Sequence, residues 1–174
     1  MEARVPSASP WSGLSLFKRG PSTKEGLLNR DYVEMLAALS AARADYLVVG
    51  AHALAAHGLP RATGDLDLWV RPTPENASRV WSALEAFGAP LRDLTLEDLA
   101  RPGIVFQIGV VPQRIDLLTS ITDVSFDEAW ENRILVRIED LEVPVLGREE
   151  LMRNKRGVGR ARDLADIEEL GEAG

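Results

Sequence analysis

The segment Asp65-Leu66-Asp67-Leu68-Trp69-Val70 constrains the fold of this chain more than any other. Successive side chains of a strand point to opposite faces, so Leu66, Leu68 and Val70 share one face while Asp65, Asp67 and Trp69 share the other. A helical period would scatter the same residues around a cylinder. The segment therefore reads as a strand with one apolar face to be covered and two carboxylates projecting together from the reverse. Its neighbours read as the rest of a layered domain. Tyr32, Met35, Leu36 and Leu39 recur at helical spacing behind a capping Asn29, which predicts a helix to about Arg43. Tyr46-Leu47-Val48-Val49 is a buried strand ending in Gly50, and the Ala-rich stretch from Ala51 to His57 is a short helix closed by Gly58. Thr73 caps a helix with Pro74 in its first turn, lined by Val80, Trp81, Leu84 and Phe87 and ended by Gly88. Strands are expected near Ile104–Val111 and Arg114–Thr119, and a capping box, Ser125 to Glu128, opens a short helix through Trp130. A hairpin follows, near Ile134–Ile138 and Glu142–Leu146, turning at Glu139-Asp140. Helices near Arg148–Lys155 and Arg160–Leu170, parted by Gly157 and Gly159, finish the chain. This order predicts an α/β (α+β) class: a mixed, largely antiparallel sheet flanked by helices.

Length and composition agree with that architecture. The chain has 174 residues, 45% of them hydrophobic and 27% charged, an ordinary mix for a soluble domain with a core. Residues 1–26 carry Pro6, Pro10, Pro21 and several Gly and Ser without periodicity, and read as a loose arm. Trp11, Leu14, Leu16 and Phe17 give it a means of docking; residues 27–174 then form a single domain. With no cysteine, disulfides, thiol nucleophiles and Cys-ligated metals are excluded. A net charge of −7 argues against a surface that coats nucleic acid, though it permits a local basic cleft. No uncharged apolar run reaches the roughly 18 residues of a membrane span, and the first 25 residues lack a secretory apolar stretch. A cytoplasmic protein that does not enter membranes is the expectation.

The paired aspartates carry the chemistry. Two carboxylates side by side repel unless a cation neutralises them, and hard oxygen ligands suit Mg²⁺ or Mn²⁺ completed by substrate phosphates. The alternative for Asp65 and Asp67 is a solvated strand face. Upstream, a strand ends at Gly50 and a helix begins at once, which places backbone N–H groups of Gly50 and Ala51 where a phosphate could sit. Downstream, Asp116 is a lone carboxylate in the apolar run Ile115-Asp116-Leu117-Leu118. It requires a metal, a cationic partner or an outward orientation. Arg61 and Thr63, just before the pair, contact phosphate or base, or else stabilise their loop. His52 and His57, on the short helix, fit packing and backbone hydrogen bonding better than catalysis.

A strand, Gly-Ala, a short helix, then Asp-x-Asp and a later strand aspartate resembles the nucleotidyltransferase superfamily of DNA polymerase beta. Gly50-Ala51-His52-Ala53-Leu54 through His57-Gly58, Pro60-Arg61, Thr63 and Asp65-Leu66-Asp67-Leu68 is similar to small bacterial and archaeal nucleotidyltransferases related to abortive-infection (type IV toxin–antitoxin) toxins. Leu151-Met152-Arg153-Asn154-Lys155-Arg156-Gly157 through Asp166 resembles the ending of the same proteins, so the likeness runs from about Asn29 to Leu170. It implies a nucleotidyltransferase fold whose C-terminal helices close over the site. The implied activity is Mg²⁺-dependent transfer of a nucleoside monophosphate from an NTP to an acceptor. That acceptor is an RNA end, a protein or a small molecule, and a cognate toxin or antitoxin is an implied partner; the alternative is a weakened, antitoxin-like binding protein on the same fold. In this resemblance Asp65, Asp67 and Asp116 hold metal and act in catalysis, Lys155 reaches the triphosphate, and Asp163 supports it. Ala51 departs from the pattern: many relatives have a serine there, so the backbone N–H is kept and a hydroxyl contact is lost.

The C-terminal charges point the same way. From Arg148 to Arg162 six basic residues (148, 153, 155, 156, 160, 162) face two acidic ones, and from Asp163 onward there are five acidic residues and no basic ones. A basic patch on an acidic protein suits an anionic ligand. The competing reading is a solvated helix in which Arg162 and Asp166, four apart, pair.

Overall fold

The computed structural model describes residues 2–3, 29–110 and 112–172. Residues 4–26 of the arm, with Trp11, Leu14, Leu16 and Phe17, lie outside the described residues, as do residues 27–28, while Glu2–Ala3 (β1) pairs in parallel with Val105–Val110 (β4). One mixed seven-stranded sheet organises the rest. Its strands are β1, Tyr46–Val49 (β2), Asp65–Val70 (β3), β4, Gln113–Leu118 (β5), Ile134–Ile138 (β6) and Leu141–Val145 (β7), and they lie in the order β1-β4-β5-β3-β2-β7-β6. The antiparallel pairs predicted for the later strands are present, β4 with β5 and β6 with β7. The joins that carry the site are of a different kind: β3 runs antiparallel to β2 but parallel to β5.

Helices cover both faces. Arg30–Ala41 (α1) starts where Asn29 accepts a hydrogen bond from the Asp31 N–H, and Leu36 and Leu39 of this helix are fully buried. Pro74–Phe87 (α3) packs against α1, capped by Thr73 and closed by Gly88, as its sequence signals require. Leu36 lines a cavity with Leu66, so α1 covers the apolar face of β3. On the opposite face, which Asp67 shares, Trp69 meets Phe126 edge-on at 5.0 Å, and Phe126 belongs to Phe126–Glu131 (α5). Burial of Trp69, Leu66, Leu68 and their neighbours contributes about 1.5–3 kcal/mol per large side chain.

Two local features depart from the sequence reading. The Leu- and Asp-rich connection holds a short helix, Leu96–Leu99 (α4), opened by a reciprocal Thr95–Asp98 capping box. Arg148–Val158 (α6) runs through Gly157 instead of ending at Lys155, and stops at Gly159 in a left-handed conformation. Gly157 is therefore no breaker. A Cβ there would collide with the side chains of Asp123 and Thr122, so the glycine permits close packing of helix on loop. Ala161–Glu172 (α7) folds back on α6. Among the described residues no helix is long and apolar enough to cross a membrane.

Candidate active site

The parallel register of β3 and β5 assembles the acidic residues. Asp65 lies opposite Arg114 and Asp67 opposite Asp116. Partners in register share a face and adjacent strands lie roughly 4.8 Å apart, so Asp116 stands beside Asp67 and all three predicted carboxylates emerge on one face. The alternation that marked Asp65 and Asp67 also puts Arg114 on that face, two residues before Asp116. Its guanidinium grips Asp116 with both arms, Nε to Oδ1 at 2.7 Å and Nη2 to Oδ2 at 3.0 Å, and Nη2 also reaches Asp65 Oδ2 at 3.3 Å. The need for a partner in an apolar strand is met by this fork, and Asp116 is 8% exposed.

Asp67 is the carboxylate with no ion pair among the described residues. Burial, then the charges of Asp116 and Asp65, push its pKa up to about 6 against the pull of Arg114 and Arg160. Burial also pushes Asp116 upward, opposed by the Arg114 hydrogen bond and charge. Gly50, at the head of Gly50–Ala56 (α2), has φ +67, and a Cβ on it would fall onto the Asp67 carboxylate. Glycine is thus required twice at this position, for its left-handed backbone and for the approach of α2 to Asp67.

Three further contacts fix the frame. The Tyr32 hydroxyl of α1 bonds to the Gly64 carbonyl and approaches the Arg114 carbonyl at 3.3 Å, while the Arg114 N–H donates to the Gly64 carbonyl at 2.9 Å. The starts of β3 and β5 are thereby fastened to each other and to α1. Burial and the neighbouring aspartate charges push the Tyr32 pKa to about 12, which keeps the phenol a donor. Thr63 accepts from the Asp65 N–H at 3.1 Å and so shapes the turn into β3.

The C-terminal helices close over this region through a network of charges. Lys155 is buried, with Nζ 3.2 Å from Asp163 Oδ1 and 2.9 Å from Asp166 Oδ2. Arg160 bonds Asp163 at 2.7 Å, and Arg61 bonds Asp166 at 3.1 Å and Glu169 at 2.8 Å. Burial drives the Asp163 carboxyl up, but hydrogen bonds and charge from Arg160 and Lys155 hold it below the usual range. Asp166 therefore pairs with Lys155 and Arg61 rather than with Arg162. Arg61 joins the loop before β3 to α7, and the field of Arg160 reaches Asp67. Trp69 packs in the core, and Trp81 and Trp130 pack against it. His57 bonds the Leu146 carbonyl at 2.8 Å, and His52 lies edge-on to Tyr32 with burial depressing its pKa. A cavity of about 410 Å³ lined by Leu36, Val48, Leu66, His52 and Thr63 lies on the α1 side of the sheet, behind the carboxylates.

The donor chemistry fits a hard divalent cation. Asp65 and Asp67 offer oxygen ligands two residues apart, and burial followed by the charges of Asp116 and Asp65 raises the Asp67 pKa, a cost that a bound cation would offset. Among the described residues no three His, Cys, Asp or Glu side chains converge closely enough to enclose an ion by themselves. Mg²⁺ commonly uses one or two carboxylates and takes its other ligands from water and phosphate. Sequence reasoning missed Arg114, for which the two-residue spacing to Asp116 was signal enough, and picked out Arg160 only as one of six basic residues, without its link to Asp163.

No protein-family model matches the chain, and no curated protein matches it in sequence. Solved structures do match in shape. A Thermotoga maritima protein, TM1012, provisionally classed as a nucleotidyltransferase, superposes with a TM-score of 0.57 at 13% identity over 82% of this chain and 91% of its own. The lincosamide antibiotic adenylyltransferase LnuA, solved with lincomycin bound, superposes with a TM-score of 0.54 at 13% identity, covering 84% of this chain and 98% of LnuA. The chain has the nucleotidyltransferase fold.

Proposed function

We propose that this protein is a nucleotidyltransferase that moves a nucleoside monophosphate from an NTP to an acceptor and releases pyrophosphate. The observation that carries the reading is the register that sets Asp116 beside Asp67, next to Asp65, on one face of a sheet with this fold. In the reaction an acceptor oxygen or nitrogen forms a bond to the α-phosphorus, the bridging bond to the β-phosphate breaks, and the acceptor proton passes to the site. A divalent cation, Mg²⁺ or Mn²⁺, supplies charge neutralisation for the triphosphate when bound. Asp65 and Asp67 hold that cation. Asp116 completes the carboxylate set and would receive the acceptor proton. The Gly50 and Ala51 backbone N–H groups, Arg61 and Thr63 bound the phosphate side of the cleft, and Arg160 and Lys155, anchored by Asp163, supply positive charge there.

The acceptor class is an RNA end, a protein side chain or a small molecule. LnuA, an antibiotic adenylyltransferase of the same fold, lends weight to the small molecule. A cognate toxin or antitoxin as partner rests on the sequence likeness alone, and co-purification from extract tests it. The catalytic reading is tested with α-labelled NTPs in cell extract. Label transferred by wild type and not by Asp67→Asn is the expected result; absence of cation-dependent NTP binding in a calorimetric titration overturns it.

A further inference from the structure

We propose that the cavity on the α1 side of the sheet is a binding site for a small, neutral, hydrocarbon-like molecule, separate from the carboxylate face and independent of the transfer reading above. Its volume of about 410 Å³ falls in the roughly 300–1,000 Å³ range of small-molecule sites. Leu36, Val48, Leu66, Val143 and Val145 line it, all of them buried core residues, drawn from α1 and three strands. Ala55 and Ala56 of α2 line it as well and are exposed, so the cavity opens to solvent along that helix. Packed interiors keep few voids larger than a water molecule. Here the lining forgoes dispersion contacts that an apolar guest would restore.

The polar groups of the lining decide the class of guest. Among the described residues of the lining Arg61 carries the one charge, and its guanidinium is committed to Asp166 at 3.1 Å and Glu169 at 2.8 Å. The Thr63 hydroxyl is committed to the backbone of Asp65, accepting from its N–H at 3.1 Å and reaching its carbonyl at 3.3 Å. Burial lowers the His52 pKa, so the ring is neutral at pH 7, and its Nε2 is enclosed within the protein. No uncommitted charge remains among these residues to pair with an ionised guest, and burying an unpaired charge is costly. A neutral molecule that asks for no hydrogen bond fits. The site adjoins the carboxylates without sharing them: α2 begins at Gly50, and Thr63 leads into Asp65. A guest held against α2 and residues 60–63 therefore lies behind the two segments that frame the acidic face.

The test uses the full chain without metal or nucleotide. The neutral probe is 1-fluoronaphthalene, and 2-naphthoate and 2-naphthylmethylamine carry opposite charges on the same rings. Binding of the fluorinated probe is read by ¹⁹F NMR line broadening, and that of all three by melting temperature, which a ligand bound only by the folded state raises. Wild type is expected to bind the neutral probe at least about tenfold more tightly than either charged one. Ala55→Trp, which places an indole at the cavity mouth, should abolish the broadening and the shift. Ala86→Trp, at an exposed position of α3 outside the lining, should keep both. Should Ala55→Trp fail to fold, Ala56→Trp takes its place. No binding of the neutral probe, equal binding of the charged ones, or unchanged binding in a folded cavity variant overturns the inference. None of these outcomes bears on nucleotide transfer, which the labelled-NTP assay decides separately.

Discussion

Gly50 and Asp67 form a single unit, in which the glycine leaves the space that the carboxylate occupies. Their substitutions are expected to shift stability in opposite directions. The folded protein holds a proton on Asp67 up to about pH 6, whereas the unfolded chain releases it near the ordinary value of 3.8. Between those values the folded state binds more protons, so this contribution to stability declines as pH rises from about 4 to 6 and stays lost above it. Two units correspond to about 2–3 kcal/mol. Metal-free wild type should therefore unfold at a higher temperature at pH 4.5 than at pH 7, while Asp67→Asn should flatten this dependence and unfold later than wild type at pH 7. Asp98 and Asp163 do not oppose the trend there, because their carboxyls titrate below 3.8 and their stabilisation is complete throughout that window. His52 does oppose it, since burial holds its pKa below 6.5, so the difference between wild type and Asp67→Asn carries the test. An Asp67→Asn protein whose melting temperature follows pH as wild type does refutes the assignment. Gly50→Ala adds the cost of a left-handed alanine, about 1–2 kcal/mol, and drives its methyl group onto Asp67. It should melt earlier than wild type and lose cation-dependent NTP binding in calorimetry, whereas Asp67→Asn should lose the binding and melt later.

At the scale of elements, the lysine picked out by sequence as a phosphate ligand is also the centre of the α6–α7 joint. Lys155 meets two buried carboxylates, so removing its charge leaves Asp163 to Arg160 and Asp166 to Arg61. Breaking a buried ion pair typically costs 3–5 kcal/mol. With the two arginines still in place, Lys155→Met should cost about 3 kcal/mol, seen as a lower urea midpoint without nucleotide. An unchanged midpoint would make Lys155 a ligand and nothing more. This joint also shows what could be read from sequence. Strands, capping residues and the Asp65/Asp67 face were legible because their signals are local: alternation, a cap three residues from its partner, a glycine at a helix end. Gly157 was misread as a stop because its reason, the closeness of Asp123, is tertiary. The pairing of Asp166 with Lys155 and Arg61 rather than Arg162 was hidden for the same reason: helical spacing offers a partner, and the fold decides which cation arrives. Arg114 lay between, since strand alternation put it on the carboxylate face while only the β3–β5 register could bring it to Asp65.

For the whole molecule, the distribution of charge matters more than the sum of −7. The stretch from Arg148 to Arg162 looks like a landing site for a polyanion, yet most of it is already engaged. Arg148 donates to the Leu170 carbonyl, Arg153 pairs with Glu128 at 2.6 Å, and Lys155 and Arg160 belong to the Asp163 and Asp166 network. Arg156 and Arg162 are exposed and make no ion pair among the described residues. Each phosphate neutralised on a single strand contributes about −0.7 to the slope of log K against log salt. A surface offering two ready cations should therefore give a slope of about −1.5, against about −4 if all six basic residues were engaged. The measurement is fluorescence anisotropy of a labelled single-stranded RNA from 50 to 200 mM KCl, with Arg156→Ala/Arg162→Ala as the control. The double variant should flatten the dependence. A slope near −4 would mean that the ion pairs of α6 and α7 open on binding, so that an RNA acceptor remodels the joint that closes the site. The shallow slope expected here belongs to a protein whose basic segment serves its own carboxylates first, and it favours an acceptor that does not depend on a long phosphate backbone.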